Sequence, residues 1–377
     1  MLARVSFRSC PTYDPDAVRD AVRDVIDQCG GLGGLLRPGA RVLLKPNVVN
    51  PQPPDSAVCT HPMVVRAVAE IAREAGCSVI VADQPCYAMT RTVEYALGVP
   101  GYIEALAGLE AEMRLLNTGG YDTVEVRDGY HLGTVAVSRL AREADVIINL
   151  GKCKTHLQCL LTGAVKNMFG LLAPKQRLVA HSAGSARALG EAVADIYSAC
   201  RPHFSITDAV VGMEGHGPTA GEPRQIGFLA ASTDAVALDA VVETTVGFRP
   251  GEIVTTLAAD RKGLGCADLA EIAITGDDPA DFRIALHRPP RMHQRLPTLL
   301  NRLGRHVIYC RPVVDTRACQ ACGGCKQVCP GDAVRMGRHA FIERRKCLEC
   351  YCCIEACPFG AIKVSRSFAS KLVSPTV

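Results

Sequence analysis

Eight cysteines at a repeated spacing between positions 319 and 357 constrain this chain more than any other feature. Cys319, Cys322, Cys325 and Cys329 recur as Cys347, Cys350, Cys353 and Cys357, each displaced by 28 residues. The prolines that follow, Pro330 and Pro358, and the apolar pairs Ala333-Val334 and Ala361-Ile362 shift by the same amount. Each half therefore reads C-x2-C-x2-C-x3-C-P. So many thiols in so little chain serve either disulfides or metal. A secreted disulfide scaffold is short and follows an apolar leader. This chain has 377 residues and opens MLARVSFRSC with no apolar stretch behind it. The expectation is a reducing, cytoplasmic compartment in which thiolates bind metal.

The spacing is the bacterial two-cluster ferredoxin pattern. The x2 spacing wraps a short loop round one face of a cubane, and the fourth cysteine, ahead of its proline, turns away to the other cluster. Cys319, Cys322, Cys325 and Cys357 are thus expected to hold one [4Fe–4S] cluster. Cys347, Cys350, Cys353 and Cys329 are expected to hold a second. Structural zinc is the alternative, but it uses paired C-x2-C knuckles rather than two identical four-cysteine runs. Cys352 breaks the x2 register and reads as a small packed residue beside a cluster. Two clusters in one pseudo-symmetric module make a one-electron relay. Gly323, Gly324, Gly331 and Gly360 suit loops whose backbone must crowd the sulfurs.

Outside the module, composition excludes more than it assigns. Charged residues are 21% and hydrophobic residues 48%, ordinary for a globular protein. Net charge is +4 and Trp is absent, which argues against nucleic acid as a partner. No run of apolar residues is long enough to cross a bilayer. Residues 1–285 read as one layered α/β domain with a mostly parallel sheet. Strands are expected at Arg41–Lys45, Ser78–Asp83, Asp145–Asn149, Phe204–Asp208, Ile226–Ala231 and Glu271–Thr275. Helices are expected at 62–75, 184–200 and 234–245, with Pro62 opening the first and Gly76 stopping it. Such alternation builds right-handed crossovers between parallel strands. Residues 112–138 read as short antiparallel strands or a hairpin insertion.

The domain order continues with a basic linker at 286–312, a small α+β ferredoxin-like module at 313–365 and a tail at 366–377. From Arg283 to Val314 there is no Asp or Glu but seven Arg. Leu296, Leu299, Leu300, Leu303 and Val307 recur there at helical spacing, a short amphipathic helix expected to dock on the large domain. A membrane surface and an acidic redox partner are the other occupants considered for that face.

Polar groups gather after the expected strands of the large domain, where open α/β sheets bind ligands. Lys45 and Asn47 follow the first strand. Asn149 ends a strand and is followed by Lys152, Lys154 and His156, then by Lys166 and Asn167 in a helix expected over 160–169. Asp208 and Glu214 follow another strand beside the Gly-rich stretch 212–221. The chain has 10 Lys against 32 Arg, so three lysines between 152 and 166 stand out as candidates for holding phosphate or carboxylate. Lys45, Lys152, Lys154, His156 and Lys166 are the candidate catalytic groups; Asn47, Asn149, Asn167, Asp208 and Glu214 are candidates for holding a cofactor or substrate. There is no dinucleotide fingerprint, P-loop or nucleophile elbow.

These segments carry a resemblance: KPN at 45–47, NLGKCKTH at 149–156, TGAVKNMFG at 162–170, DAVVGMEGHGPTAG at 208–221, Asp234 with Ala237 and Asp239, and CLECYCC at 347–353. Together they resemble the domain-of-unknown-function (DUF) 362 family of iron–sulfur proteins, across nearly the whole chain. The resemblance implies an α/β domain joined to a two-cluster ferredoxin domain and assigns no reaction. The large domain is also distantly similar in layout to the nickel-pincer lactate racemase family. The function expected is an oxidoreductase that takes electrons from a redox partner protein or low-potential donor and passes them to a small anionic substrate or cofactor. An electron carrier without its own substrate, and a non-redox enzyme or binding protein with a structural or sensory module, are the alternatives. Any further organic cofactor, and the oligomeric state, are left open by the residues.

Overall fold

The structure is a computed structural model, and it describes residues 2–85, 92–182, 185–289 and 310–368. The amphipathic helix expected at Leu296–Val307, Cys86 and residues 369–377 of the tail lie outside the described residues.

Among the described residues eleven strands precede the cysteine module: β1 (Ala3–Ser9), β2 (Arg41–Lys45), β3 (Ser78–Asp83), β4 (Ala111–Leu115), β5 (Tyr121–Glu125), β6 (Thr134–Ser138), β7 (Val146–His156), β8 (Leu160–Thr162), β9 (Phe204–Glu214), β10 (Glu222–Ser232) and β11 (Ile272–Gly276). One large sheet runs β11-β1-β10-β9-β7-β2-β3-β4, with β8 folded back on β7. Its parallel pairs are β1/β11, β2/β3, β2/β7, β3/β4 and β7/β9; β10 is antiparallel to both β1 and β9. The fold is α/β with a mostly parallel sheet. Strand alternation sends Leu43 to one face and Val42 and Leu44 to the other. The helices Ala186–Ala199 and Ala235–Thr245 cover the first face. The helices Pro15–Gln28 and Pro62–Glu74 cover the second.

The helix starts are written locally. Asp14 accepts the backbone N–H groups of Asp16 and Ala17 ahead of Pro15. Asp234 does the same for Val236 and Ala237. Such caps are worth about 1 kcal/mol each.

Several boundaries differ from expectation for non-local reasons. The strand expected to end at Asn149 runs on to His156, because β9 pairs with it through Lys152 and β8 pairs with Lys154–His156. Likewise, β9 continues past Asp208 to Glu214 because β10 supplies partners along its length. The helix expected over 160–169 is instead β8, a helical turn at Ala164–Asn167 and a 3-10 turn at Met168–Leu171. Within 112–138, β4 joins the main sheet parallel to β3, while β5 and β6 make the separate antiparallel hairpin.

In the cysteine module the 28-residue repeat is structural. Short helices occupy Gly324–Gln327 and Cys352–Glu355. The strands are β12 (Cys310–Val314), paired with β15 (Ile362–Arg366), and β13 (Val334–Met336), paired with β14 (Ala340–Ile342). Left-handed residues recur in register: Ala321 with Glu349, Gly323 with Tyr351, and Asp332 with Gly360. Tyr351 holds that conformation without glycine's freedom; it is buried, and its hydroxyl donates to the Cys310 carbonyl at 3.0 Å. The module packs on the sheet domain: Leu178 of the helix Pro174–His181 meets Val328, Cys352 and Ala356. Asn50 Nδ2 donates to the Cys357 carbonyl at 3.2 Å across the same seam. No helix among the described residues is long and apolar enough to cross a membrane.

Candidate functional site

The eight repeat cysteines sort into two quartets. Cys319, Cys322, Cys325 and Cys357 line one cavity of about 10 Å³. Cys329, Cys347, Cys350 and Cys353 line another of about 20 Å³. The fourth cysteine of each run thus sits with the first three of the other. Backbone N–H groups point at the sulfurs at repeat-related places: Ala333 to Cys329 Sγ at 3.1 Å and Ala361 to Cys357 Sγ at 3.3 Å. Burial pushes the thiols of Cys325 and Cys347 up to about 11. A thiolate set crowded like this needs compensating cations. Among the described residues no three Cys, His, Asp or Glu groups are spaced to share a single ion. Each quartet surrounds a space instead. Soft donors on all sides with amides aimed at sulfur fit an iron–sulfur cubane.

At the carboxyl edge of β2, Lys45 is buried and ion-paired to Asp83 at 3.0 Å. Its Nζ also donates to the Pro46 carbonyl at 2.9 Å and to Asn167 Oδ1 at 3.3 Å. Burial lowers its pKa and the Asp83 charge opposes that. A chain of amides continues from it. Asn47 Nδ2 donates to Asn167 Oδ1 at 2.8 Å, and Asn167 Nδ2 donates to Asn149 Oδ1 at 2.7 Å. The turn carrying Lys166 and Asn167 is anchored by Asp239, which accepts the N–H groups of Ala164 and Val165 at 2.6 and 2.9 Å. Glycine is required at both ends of this segment. A Cβ on Gly163 would lie 2.4 Å from the Asp239 carboxylate, and one on Gly170 would lie 2.9 Å from Lys45 Nζ.

A cavity of about 80 Å³ opens between this edge and the cysteine module, more than the roughly 10–15 Å³ that one water needs. Lys45, Asn47, Lys166 and Asn167 line it from the sheet edge; Val328, Cys352 and Glu355 line it from the module. Gln84, Arg177 and His181 close the sides. Lys166 Nζ lies 5.4 Å from the centre of the Phe169 ring. Arg177 is tied to the carbonyls of Leu172 and Gln84 at 2.9 and 2.7 Å. His181 Nδ1 is 2.8 Å from Gln158 Oε1, and burial, then the Lys166 and Arg177 charges, pushes its pKa down to about 3, so the ring is neutral. Asn47 Oδ1, Gln84 Oε1 and Thr162 Oγ1, all on this wall, are buried without hydrogen-bond partners among the described residues. Groups of this kind are costly unless something in the cavity satisfies them.

Residues 42–243 match the family described as domain of unknown function DUF362, and residues 311–358 match a 4Fe-4S dicluster domain. The chain belongs to the DUF362 family. A relative, the thylakoid-associated protein sll1697 of Synechocystis, is 35% identical over 266 residues, covering 70% of this chain and 81% of the relative. Among solved structures, the lactate racemase apoprotein of Thermoanaerobacterium thermosaccharolyticum aligns with a TM-score of 0.41 and 14% identity, over 62% of this chain and 54% of the racemase. The DUF362 span supplies every cavity residue from the sheet side, and the dicluster span supplies the rest.

In this DUF362 protein the other polar residues marked by sequence lie away from the cavity. Lys152 pairs with Asp208 at 2.8 Å on the opposite face of the sheet. There its Nζ also donates to the Tyr13 hydroxyl at 2.8 Å, and Tyr13 stacks on His61 with ring centres 3.5 Å apart. Lys154 Nζ donates to the Val58 carbonyl, and burial pushes its pKa down to about 7. His156 Nδ1 accepts the N–H groups of Gln158 and Cys159 at 3.1 and 3.2 Å. Its Nε2 faces Glu355 Oε1 at 3.4 Å across the domain seam. Burial, then the Lys166, His181 and Lys154 charges, holds His156 well below its ordinary pKa. Glu214 engages His287, with Oε1 3.1 Å from its Nδ1 and Oε2 accepting its backbone N–H at 3.0 Å. Sequence reasoning missed Gln84, Arg177, His181 and Glu355. The one available signal was Arg177 and His181 four apart behind Pro174, which places both on one helix face.

Proposed function

We propose that the two quartets hold [4Fe–4S] clusters and that the chain is an oxidoreductase relaying electrons through them to a small anionic substrate or cofactor in the interdomain cavity. Bound there, the clusters supply single electrons; the chain supplies position and charge. The observation that carries this reading is the cavity's two walls. One presents Lys166, whose ammonium has no hydrogen-bond or ion-pair partner among the described residues. The other presents Cys352, the immediate neighbour of the quartet member Cys353 and a hydrogen-bond partner of Cys350. Lys166 binds the anion, the free amide oxygens of Asn47 and Gln84 accept from hydroxyl or amino groups elsewhere on the ligand, and Phe169 and Leu178 exclude water. A carrier without a substrate would have no use for such a cavity. The reading places the protein in a reducing compartment, the cytoplasm, which cell fractionation tests against the thylakoid association named for the relative.

The decisive experiment is anaerobic purification followed by iron and sulfide analysis. Eight irons and eight sulfides per chain, with two interacting paramagnets after dithionite reduction, support the reading. Stoichiometric zinc without sulfide overturns it. Thermal-shift screening with inorganic phosphate and small carboxylates then tests the cavity, since a ligand of the folded state raises Tm. Lys166→Ala should abolish the shift while iron content stays unchanged.

A further inference from the structure

The module is basic. Residues 310–368 hold ten Lys and Arg against five Asp and Glu, a net +5, while the whole chain is +4. Its one run of three consecutive cations lies beside one quartet. Arg344, Arg345 and Lys346 are consecutive and exposed, and they lead directly into Cys347. Arg344 and Arg345 have no ion-pair partner among the described residues; Lys346 pairs with Glu343 at 3.0 Å. Two positions on, Leu348 is 51% exposed and also lines the cavity of the second quartet. Leu348 thus reaches both solvent and the lining of the cluster position. The loop is held in place. The Lys346 and Cys347 amides close a turn on the Glu343 carbonyl, both at 3.1 Å. The Lys346 carbonyl sits where a Cβ on Gly331 would approach to 2.6 Å, so the loop backbone rests on that glycine.

The first quartet has a different skin. Its exposed apolar residue is Phe359, 48% accessible. Its chain neighbours are Pro358 and Gly360, and Gln320 lines the same cavity. Arg317 beside Cys319 and Lys326 beside Cys325 are exposed as well, but they stand singly, with no run of consecutive cations.

We propose that the loop Arg344–Leu348 is the docking surface for an acidic one-electron carrier protein, with the second quartet as the point of electron entry. The proposal rests on the reading that clusters fill the quartets. Leu348 makes the apolar contact, and the three cations orient a negatively charged partner over it. In the transfer, a reduced carrier loses one electron and the oxidised cluster gains it; no bond is made or broken and no proton is required.

The test uses the anaerobically purified holoprotein and, as probe, a reduced plant-type [2Fe–2S] ferredoxin of strongly negative net charge, followed by stopped-flow absorbance. The charge-reversed variant R344E/R345E/K346E should show a second-order rate at least about tenfold below wild type at low ionic strength. That gap should close at about 1 M salt, where screening reaches within about 3 Å. Arg317→Glu, an exposed change of the same sign beside Cys319, should leave the rate within about twofold. Iron content and the extent of reduction by dithionite should be the same in all three proteins. If dithionite fails to reduce the wild-type clusters, the electron-relay reading falls and takes this proposal with it. If dithionite reduces them but the ferredoxin reduces wild type and the triple variant equally fast, or Arg317→Glu is the slower, only the docking proposal falls. Binding of wild type, and not the triple variant, to phosphatidylserine vesicles with no rate difference toward ferredoxin would assign the loop to a lipid surface and overturn it.

Discussion

The Lys45–Asp83 pair is asymmetric, and the asymmetry predicts which partner the fold can lose. Asp83 retains two backbone donors without Lys45: Val48 N–H at 2.6 Å and Gln84 N–H at 2.8 Å. Lys45 without Asp83 keeps only a carbonyl at 2.9 Å and an amide oxygen at 3.3 Å, both neutral. Breaking a buried pair costs about 3–5 kcal/mol because a charge is left uncompensated. Lys45→Met should fall near the bottom of that range, about 3 kcal/mol. Asp83→Ala should reach about 5 kcal/mol, since it also orphans two buried N–H groups. The two should differ with pH as well. Burial already depresses the pKa of Lys45, and Asp83 is what raises it; without Asp83 it falls further. Between that depressed value and the ordinary lysine range, the unfolded chain binds more protons than the native one, so stability rises with pH. The slope is at most about 1.4 kcal/mol per pH unit. The Asp83→Ala deficit relative to wild type should therefore shrink as the pH is raised from 6.5 to 8.5. Anaerobic urea unfolding at both pH values measures this, followed by far-UV circular dichroism because the chain has no Trp. Equal costs for the two variants, or an Asp83→Ala deficit that is flat or grows with pH, would refute the reasoning.

Three further outcomes follow from the same geometry. Cys329→Ser should disturb the paramagnet shared with Cys347, Cys350 and Cys353 and largely spare the other, read by EPR of the reduced protein, because the four line one cavity. Asp239→Asn puts an amide donor against the N–H of Ala164 or Val165; it should cost about 2–4 kcal/mol in urea unfolding and weaken phosphate binding by displacing Lys166. Gly170→Ala drives a methyl to within 2.9 Å of Lys45 Nζ; it should cost about 1–3 kcal/mol, with iron and sulfide content unchanged.

What the sequence makes legible here is what repeats or is local. The cysteine quartets follow from a 28-residue displacement, and the same displacement reappears in the short helices and the left-handed positions. The strands that read well, Arg41–Lys45 and Ser78–Asp83, are short apolar runs whose ends carry their own stop signals. The segment Asn149–His156 reads poorly. Its glycine and lysines suggest a loop, yet it stays extended because β9 and β8, distant or folded back in the chain, supply its hydrogen bonds. That single difference redistributes the candidate lysines. On a continued strand, Lys152 points to the face opposite Lys45, where Asp208 of β9 neutralises it. Arg177, His181 and Glu355 are illegible for another reason. Each acquires its position when the module packs against the helix Pro174–His181, a contact between segments with no periodicity in common.

This sorting also narrows the chemistry. Of the five lysine and histidine candidates, four already have a polar atom engaged by a partner inside the protein. Lys45 serves Asp83 and Lys152 serves Asp208. Lys154 donates to a backbone carbonyl, and His156 accepts two backbone amides. A buried cation already neutralised by a carboxylate has little left with which to hold an anion. Lys166 alone among them faces the cavity with an ammonium that has no hydrogen-bond or ion-pair partner among the described residues, 5.4 Å from the centre of the Phe169 ring. It is placed there by a turn that Asp239 anchors and by glycines that admit no side chain. The TGAVKNMFG segment is thus a device for delivering one cation to the seam between the sheet and the cysteine module. The lysines of NLGKCKTH and the Lys45–Asp83 pair hold the platform on which it stands.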